Sequence, residues 1–368
     1  MDWLKFLIFG VATVGSLVLG FKPGSIAQPK PAWWRWLTIG SLFLLVFLSF
    51  YTPTSGTFGG MSMVQVGRGD DAIVPVRGKV VDVSAAGETN TARFEDRHGK
   101  AEVVDLAQLG QGDRSEFTAG KDMILALQRR QDGVYDVRYI VSINPFLSIP
   151  LVPALEERAR NIYYHVPVAI ITQIAWFIAV LFAVLYLRKR DQKYDIIASS
   201  AAMVGALFCV LATTTGMVWA KFNWGSFWNW DPRQVSIFVV LIIYGAYFAL
   251  RSAIPNTEQR ARISSLYLIL LLLPVIFFIF VYPRINPGLH PGALGGESIG
   301  PVIDPQKLWL DQVKQVYFAL GLFSFTLLYF WLVNLSARMR LVELGKKLGE
   351  IQQNVKGREA TGITAIDR

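Results

Sequence analysis

Apolar residues in this chain gather in long unbroken runs, and polar residues gather between them. Seven runs stand out, at about Trp3–Phe21, Trp36–Tyr51, His165–Leu187, Ile196–Val218, Val235–Leu250, Ile263–Tyr282 and Val313–Leu335. Runs of this length read as helices crossing a hydrocarbon layer. The second is short, but Trp33 and Trp34 flank it, as aromatic residues do at a membrane surface. The first carries a cleavage-like Ser25-Ile26-Ala27 after it, yet its apolar stretch exceeds a signal core and only Lys5 precedes it, so it reads as a retained span.

Between the second and third runs the pattern changes. Val74–Val76, Lys79–Val83, Ala101–Val104, Met123–Leu127 and Val134–Val141 read as short strands separated by Gly, Asp and Asn turns. Five such strands predict a small β-barrel or sandwich, resembling an OB-type barrel. The expected fold is therefore an all-α polytopic membrane bundle of about seven transmembrane helices with an inserted small all-β extracytoplasmic domain. The boundaries follow: an N-terminal helix and cytoplasmic loop at 1–35, the first core span at 36–51, the β-domain at 52–150, a transmembrane core at 151–336 and a basic cytoplasmic tail at 337–368.

Charge sets the orientation. Lys22, Lys30 and Arg35 follow the first run, Arg188, Lys189, Arg190 and Lys193 the third, Arg251, Arg260 and Arg262 the fifth, and Arg338, Arg340, Lys346 and Lys347 the last. Basic loops stay in the cytoplasm, so the remaining loops share the outer face. Only 17% of the 368 residues are charged and 53% are hydrophobic. The net charge of +9 does not signal nucleic acid, because 53–160 carries 13 basic and 15 acidic residues. The single Cys209 excludes a disulfide framework. The tail presents Leu341, Leu344 and Leu348 on one side and suits the lipid surface, with disorder expected from Gly357 onward.

The chemistry concentrates on the outer face. Trp224-Gly225-Ser226-Phe227-Trp228-Asn229-Trp230-Asp231-Pro232-Arg233 packs three tryptophans into a short loop. One such ring anchors a helix end; several form a shelf for a large flat apolar ligand, with Asp231 and Arg233 fixing its polar groups. Two of the three histidines fall on the same face, His165 in Tyr-Tyr-His-Val-Pro and His290 in Gly-Leu-His-Pro. Two imidazoles can ligate one iron from opposite sides. The third, His98, sits in a hydrophilic turn and reads as a surface residue. Thr213 to Thr215, Gln173 and Asn334 are the main polar residues of the later spans, which argues against a proton-coupled transporter.

Trp-Gly-x-x-Trp-x-Trp-Asp-Pro-Arg resembles the WWD signature of haem-handling proteins. The order Tyr-x-His-Val-Pro, WWD loop, Leu-His is similar to that of the CcmC family of system I cytochrome c maturation, over Trp36 to about Leu335. The resemblance implies that His165 and His290 are axial ligands of haem b on the periplasmic side of the bacterial inner membrane. It gives Trp224, Trp228, Trp230 and Asp231 the platform role, and Arg233 or Arg284 suits a propionate. Handover to a CcmE-like haem chaperone, with CcmAB transporter and CcmD-like subunits as partners, is implied too, making this a delivery protein rather than a catalyst. The Asp-Pro-Arg wording leans toward the related CcsA and CcmF, which leaves a haem lyase attaching haem to apocytochrome c as the alternative. The first span and the β-insertion are additions to the family's six-span core.

Overall fold

The computed structural model describes residues 3–84, 90–153, 155–290 and 312–360. The chain forms two compact units, one built mainly from Phe43–Tyr163 with the first turns of the last helix through Phe318, the other from Phe6–Leu42 and the helices beyond Tyr164.

In the first unit, β2 (Val74–Val83), β3 (Thr91–Asp96), β4 (Ala101–Asp105), β5 (Asp122–Arg129) and β6 (Tyr135–Ile143) close into a barrel in the order β2-β3-β4-β6-β5. Every pair is antiparallel except β4 with β6. The closure decides for a barrel over a sandwich. Two of the sequence expectations are corrected here. Val74–Val76 and Lys79–Val83 are one strand, continuous through Gly78, where a side chain would meet the Glu95 carbonyl oxygen at 2.1 Å. Thr91–Asp96, read as a connection, is a strand that buries Ala92 and Phe94.

The helix α3 (Phe58–Arg68) was also not expected. Thr57 caps it by accepting from the Gly60 N–H, the buried Asp96 carboxylate accepts from Phe58 N at 2.9 Å, and Phe58, Met61 and Val64 join the barrel core. That burial outweighs the poor helix propensity of its three glycines. A two-residue parallel pair, β1 (Thr54–Ser55) with β7 (Ile149–Pro150), joins the entry and exit of this unit. Arg77 pairs with Asp122 at 2.6 Å and donates to Pro145 O and Ser148 Oγ, holding the exit segment on the barrel wall. The short helix α4 (Gln111–Ser115) crosses between β4 and β5. His98 lies exposed on the β3–β4 turn, as expected.

The second unit is helical. It contains α1 (Trp3–Phe21), most of α2 (Ala32–Tyr51), nearly all of α5 (Ile162–Lys189), then α6 (Gln192–Trp224), α7 (Pro232–Ala253), α8 (Thr257–Leu270), α9 (Leu272–Ile276), a π-helical turn at Phe277–Val281, α10 (Tyr282–Ile285) and α11 (Gln312–Ala360). Ala175, Ala179 and Ala183 on α5 and Ala198, Ala201, Ala202 and Cys209 on α6 are buried in one core. Such small residues let backbones approach closely in a low-polarity medium. Gly205 marks the tightest approach, since a Cβ there would lie 2.7 Å from the Ala175 Cβ and 2.5 Å from the Tyr244 hydroxyl. At the end remote from the tryptophan loop, Arg251 clasps the buried Asp195 through two bonds of 2.7 and 2.8 Å.

Among the described residues six helices are long and apolar enough to cross a membrane, namely Ala32–Tyr51, Glu156–Lys189, Gln192–Trp224, Pro232–Ala253, Thr257–Ile285 and Val313–Glu350. The seventh expected span corresponds to α1 (Trp3–Phe21), whose apolar stretch Phe6–Phe21 is shorter than those of the other six. It is integrated all the same. Gly20 meets the Phe330 ring, Trp34 is fully buried with its indole N–H on Leu19 O, and Asn334 donates to Ile26 O and Gln28 O. Trp34 is thus a packing residue of the hairpin and not a surface anchor. The tail departs from expectation as well, because α11 continues without a break to Ala360; residues 361–368 lie outside the described residues.

Gly78→Ala should destabilise the barrel by about 1–3 kcal/mol, because the obstructing atom is backbone and cannot rotate away. Gly112→Ala, which adds a methyl to open space, should be neutral in the same thermal melt of the full chain in detergent.

Candidate functional site

The Trp-rich loop follows from how α6 ends. Gly225 takes a left-handed conformation (φ 81°) and its N–H bonds Lys221 O, so the chain leaves the helix sharply. Gln234 then clamps the loop from the next helix, accepting from Asn229 N at 2.8 Å and donating to Phe227 O at 3.1 Å. Trp230 is held at φ +56°, a conformation that costs a bulky residue about 1–3 kcal/mol. Its side chain is 71% exposed, so burial of the ring is not what offsets that cost. The two bonds of buried Gln234 and the start of α7 hold it there.

Asp231 and Pro232 start α7, the aspartate as N-cap and the proline in the first turn. The Asp231 side chain is only 1% exposed. Its Oδ1 accepts from Arg233 N at 2.9 Å and lies 2.9 Å from His290 Nδ1, and its Oδ2 accepts from Leu289 N at 2.7 Å. One carboxylate therefore ties the loop, the helix start and the 289–290 segment together. Burial alone would raise its pKa; the His290 hydrogen bond and charge, with the two backbone donors, outweigh this and hold it at about 2. The Trp224 ring packs edge-on against the His290 imidazole, with centroids 4.7 Å apart.

His165 approaches from the first turns of α5. Its Nδ1 lies 3.0 Å from Thr215 Oγ1 on α6, and its ring lies over Gly216, where a Cβ would fall 2.9 Å from Cε1. The Thr215 hydroxyl donates to Leu211 O at 2.7 Å, so toward His165 its oxygen accepts. A carboxylate likewise only accepts. Both imidazoles therefore carry hydrogen on Nδ1, and in the neutral ring each has its lone pair on Nε2. His165 is within electrostatic reach of His290 and Arg233, and Arg233 of Arg284 and Asp231.

Trp224 and Asp231 thus contact His290, Arg233 adjoins Asp231, and His165 lies within electrostatic reach of His290 and Arg233. Trp228 and Trp230 form a neighbouring aromatic group, 5.6 Å apart at 87°, with Phe238 at 6.1 Å from Trp228. Asp231, expected in the platform, has a different contact, the imidazole of His290. Thr215, Gly216 and Gln234 were not expected at the site; a Thr-Gly pair inside an apolar helix and a glutamine in the first turn after Asp-Pro-Arg were the available signals. Among the described residues no group of three or more His, Cys, Asp and Glu could hold a metal ion. Two imidazoles are too few for a protein-built zinc centre. They suit a metal whose remaining positions are filled by its own macrocycle.

A family model described as heme exporter protein C, CcmC, matches residues 144–345. The chain belongs to this family. Among individual relatives, heme exporter protein C of Paracoccus denitrificans is 31% identical over 137 residues, 36% of this chain and 56% of the relative. The Rhodobacter capsulatus protein of the same name is 30% identical over 151 residues, 40% of this chain and 61% of the relative. A putative cytochrome c biosynthesis ccmC-like mitochondrial protein of Marchantia polymorpha is 29% identical over 145 residues, 38% of this chain and 61% of the relative. The chain thus spans little more than half the length of these curated relatives. The CcmC match contains His165, Thr215, the Trp-rich loop and His290, and leaves out the strands of the barrel.

The depressed pKa of Asp231 gives a pH test. A carboxyl lowered on folding contributes stability above its unfolded pKa, near 4, and loses it as pH falls toward about 2. Thermal melts of the wild type should drop more between pH 4 and pH 2 than those of Asp231→Asn, which keeps a capping side chain but has no titrating group.

Proposed function

We propose that this protein binds haem at the periplasmic face of the bacterial inner membrane and presents it to a CcmE-like haem chaperone during cytochrome c maturation. The observation that carries the reading is the pair of imidazoles in the CcmC-matched region, each held through Nδ1 so that Nε2 is left for a metal. The cargo is a flat apolar ring with two carboxylates and an iron that takes one axial ligand on each side. His165 and His290 are assigned to the axial positions. The rings of Trp224, Trp228 and Trp230 wall the macrocycle, and the exposed Trp230 stands where an acceptor approaches.

Arg233 is the residue for a propionate, assisted by Arg284, since guanidinium pairs with carboxylate through charge-assisted bonds. Arg233 and Arg284 lie within electrostatic reach of one another, which gives this corner a basic character suited to an anion. The basic ends of the helices at 188–193, 251 and 260–262 support a cytoplasmic opposite face, and with it a periplasmic haem site and β-barrel. The chain's own residues bind, orient and release; no proton transfer or bond-making step is assigned to them.

The test is haem content of protein purified in detergent from haem-sufficient cells. His165→Ala and His290→Ala should each lower occupancy and shift the absorption spectrum away from the six-coordinate form, while His98→Ala should match the wild type. A wild type without haem, or both site variants with unchanged spectra, would overturn the assignment.

A further inference from the structure

The two imidazoles are not held by equivalent partners. His290 faces a carboxylate that is buried, anionic and itself fixed by two backbone N–H groups. His165 faces a neutral hydroxyl whose own hydrogen is directed to Leu211 O. The rings are confined differently as well. Trp224 stands edge-on against His290, and the missing side chain at Gly216 makes the space that His165 fills.

From this asymmetry we infer that Asp231 and Thr215 are positioning residues with different effects on the metal, an inference that rests on the haem reading above. A carboxylate accepting from Nδ1–H pushes electron density into the ring and makes Nε2 a stronger donor. A stronger donor favours the more highly charged ferric iron. A hydroxyl orients the ring and fixes its tautomer with little change in donor strength. His290 is accordingly the firm, ferric-favouring ligand through Asp231. His165 is the weaker one, aimed by Thr215 and the one that yields first when the ring is passed on.

The arrangement also disfavours a longer acid at position 231. Its two oxygens meet three donors in a space defined by the start of α7 and the backbone at Leu289. Glutamate would carry the carboxylate past both backbone groups.

Two measurements test the inference. With only three histidines in the chain, ¹⁵N-histidine labelling of the haem-free protein gives three ring systems, recorded at about pH 8.5, above the ordinary imidazole range. His165 and His290 should both be Nδ1–H tautomers, and Thr215→Val should mix the tautomers of His165 alone, with Thr215→Ser restoring it. The second is potentiometric titration of the haem-loaded protein. Asp231→Asn retains a capping and accepting oxygen but loses the charge, so the preference for ferric over ferrous iron should fall about tenfold, an upward shift of ~59 mV. Thr215→Val should weaken haem binding and leave the potential near that of the wild type.

An Nε2–H tautomer at either histidine, or an unchanged potential in Asp231→Asn, would overturn the inference. If Asp231→Asn does not fold, as its haem-free melting curve would reveal, the tautomers and the Thr215 variants still decide. A wild type that takes no haem but shows both Nδ1–H tautomers would defeat the haem reading, and the electronic assignment with it, while leaving the positioning geometry standing.

Discussion

The site depends on one carboxylate. Asp231 starts α7, fixes the end of the tryptophan loop and holds the segment that carries His290, and it does so from a nearly buried position. Burying an anion costs several kcal/mol unless it is hydrogen-bonded and paired. Here two backbone donors and an imidazole meet that cost, which is why its pKa falls although burial would raise it. The histidine, the loop and the helix start cannot move independently, so His290 and the Trp-rich loop are positioned as one piece.

That piece needs a rigid support, and the helical unit supplies it through small residues. The alanines of α5 and α6 and Gly205 bring the two helices close, so that His165 on one reaches Thr215 and Gly216 on the other. At the far end Arg251 and Asp195 join α7 to α6. At the site end Trp230 stands at positive φ and largely in the open.

Much of this was legible in the sequence, because hydrophobic periodicity and charge in short loops report directly on helices in a membrane. The helices followed the apolar runs, and His165, His290, Trp224 and Asp231 met where the motifs placed them. The barrel was legible only in outline. Thr91–Asp96 alternates, but it is short and charged at its outward positions, and α3 has three glycines in eleven residues. Both are formed by packing on the barrel core rather than by local preference. Thr215, Gly216 and Gln234 left only local signals, a Thr-Gly pair in an apolar helix and a glutamine after Asp-Pro-Arg, which do not name a partner. Thr215 is 50 residues from His165, and nothing local to either residue announces the contact.

The central claim is that two imidazoles ligate one haem iron. The most direct measurement is the low-temperature electron paramagnetic resonance spectrum of the ferric protein after haem loading in detergent. Bis-histidine ligation should give a low-spin ferric signal of the bis-imidazole type, replaced by a high-spin signal when either His165 or His290 is changed to alanine. A high-spin wild type, or a low-spin signal that survives in both variants, would contradict it.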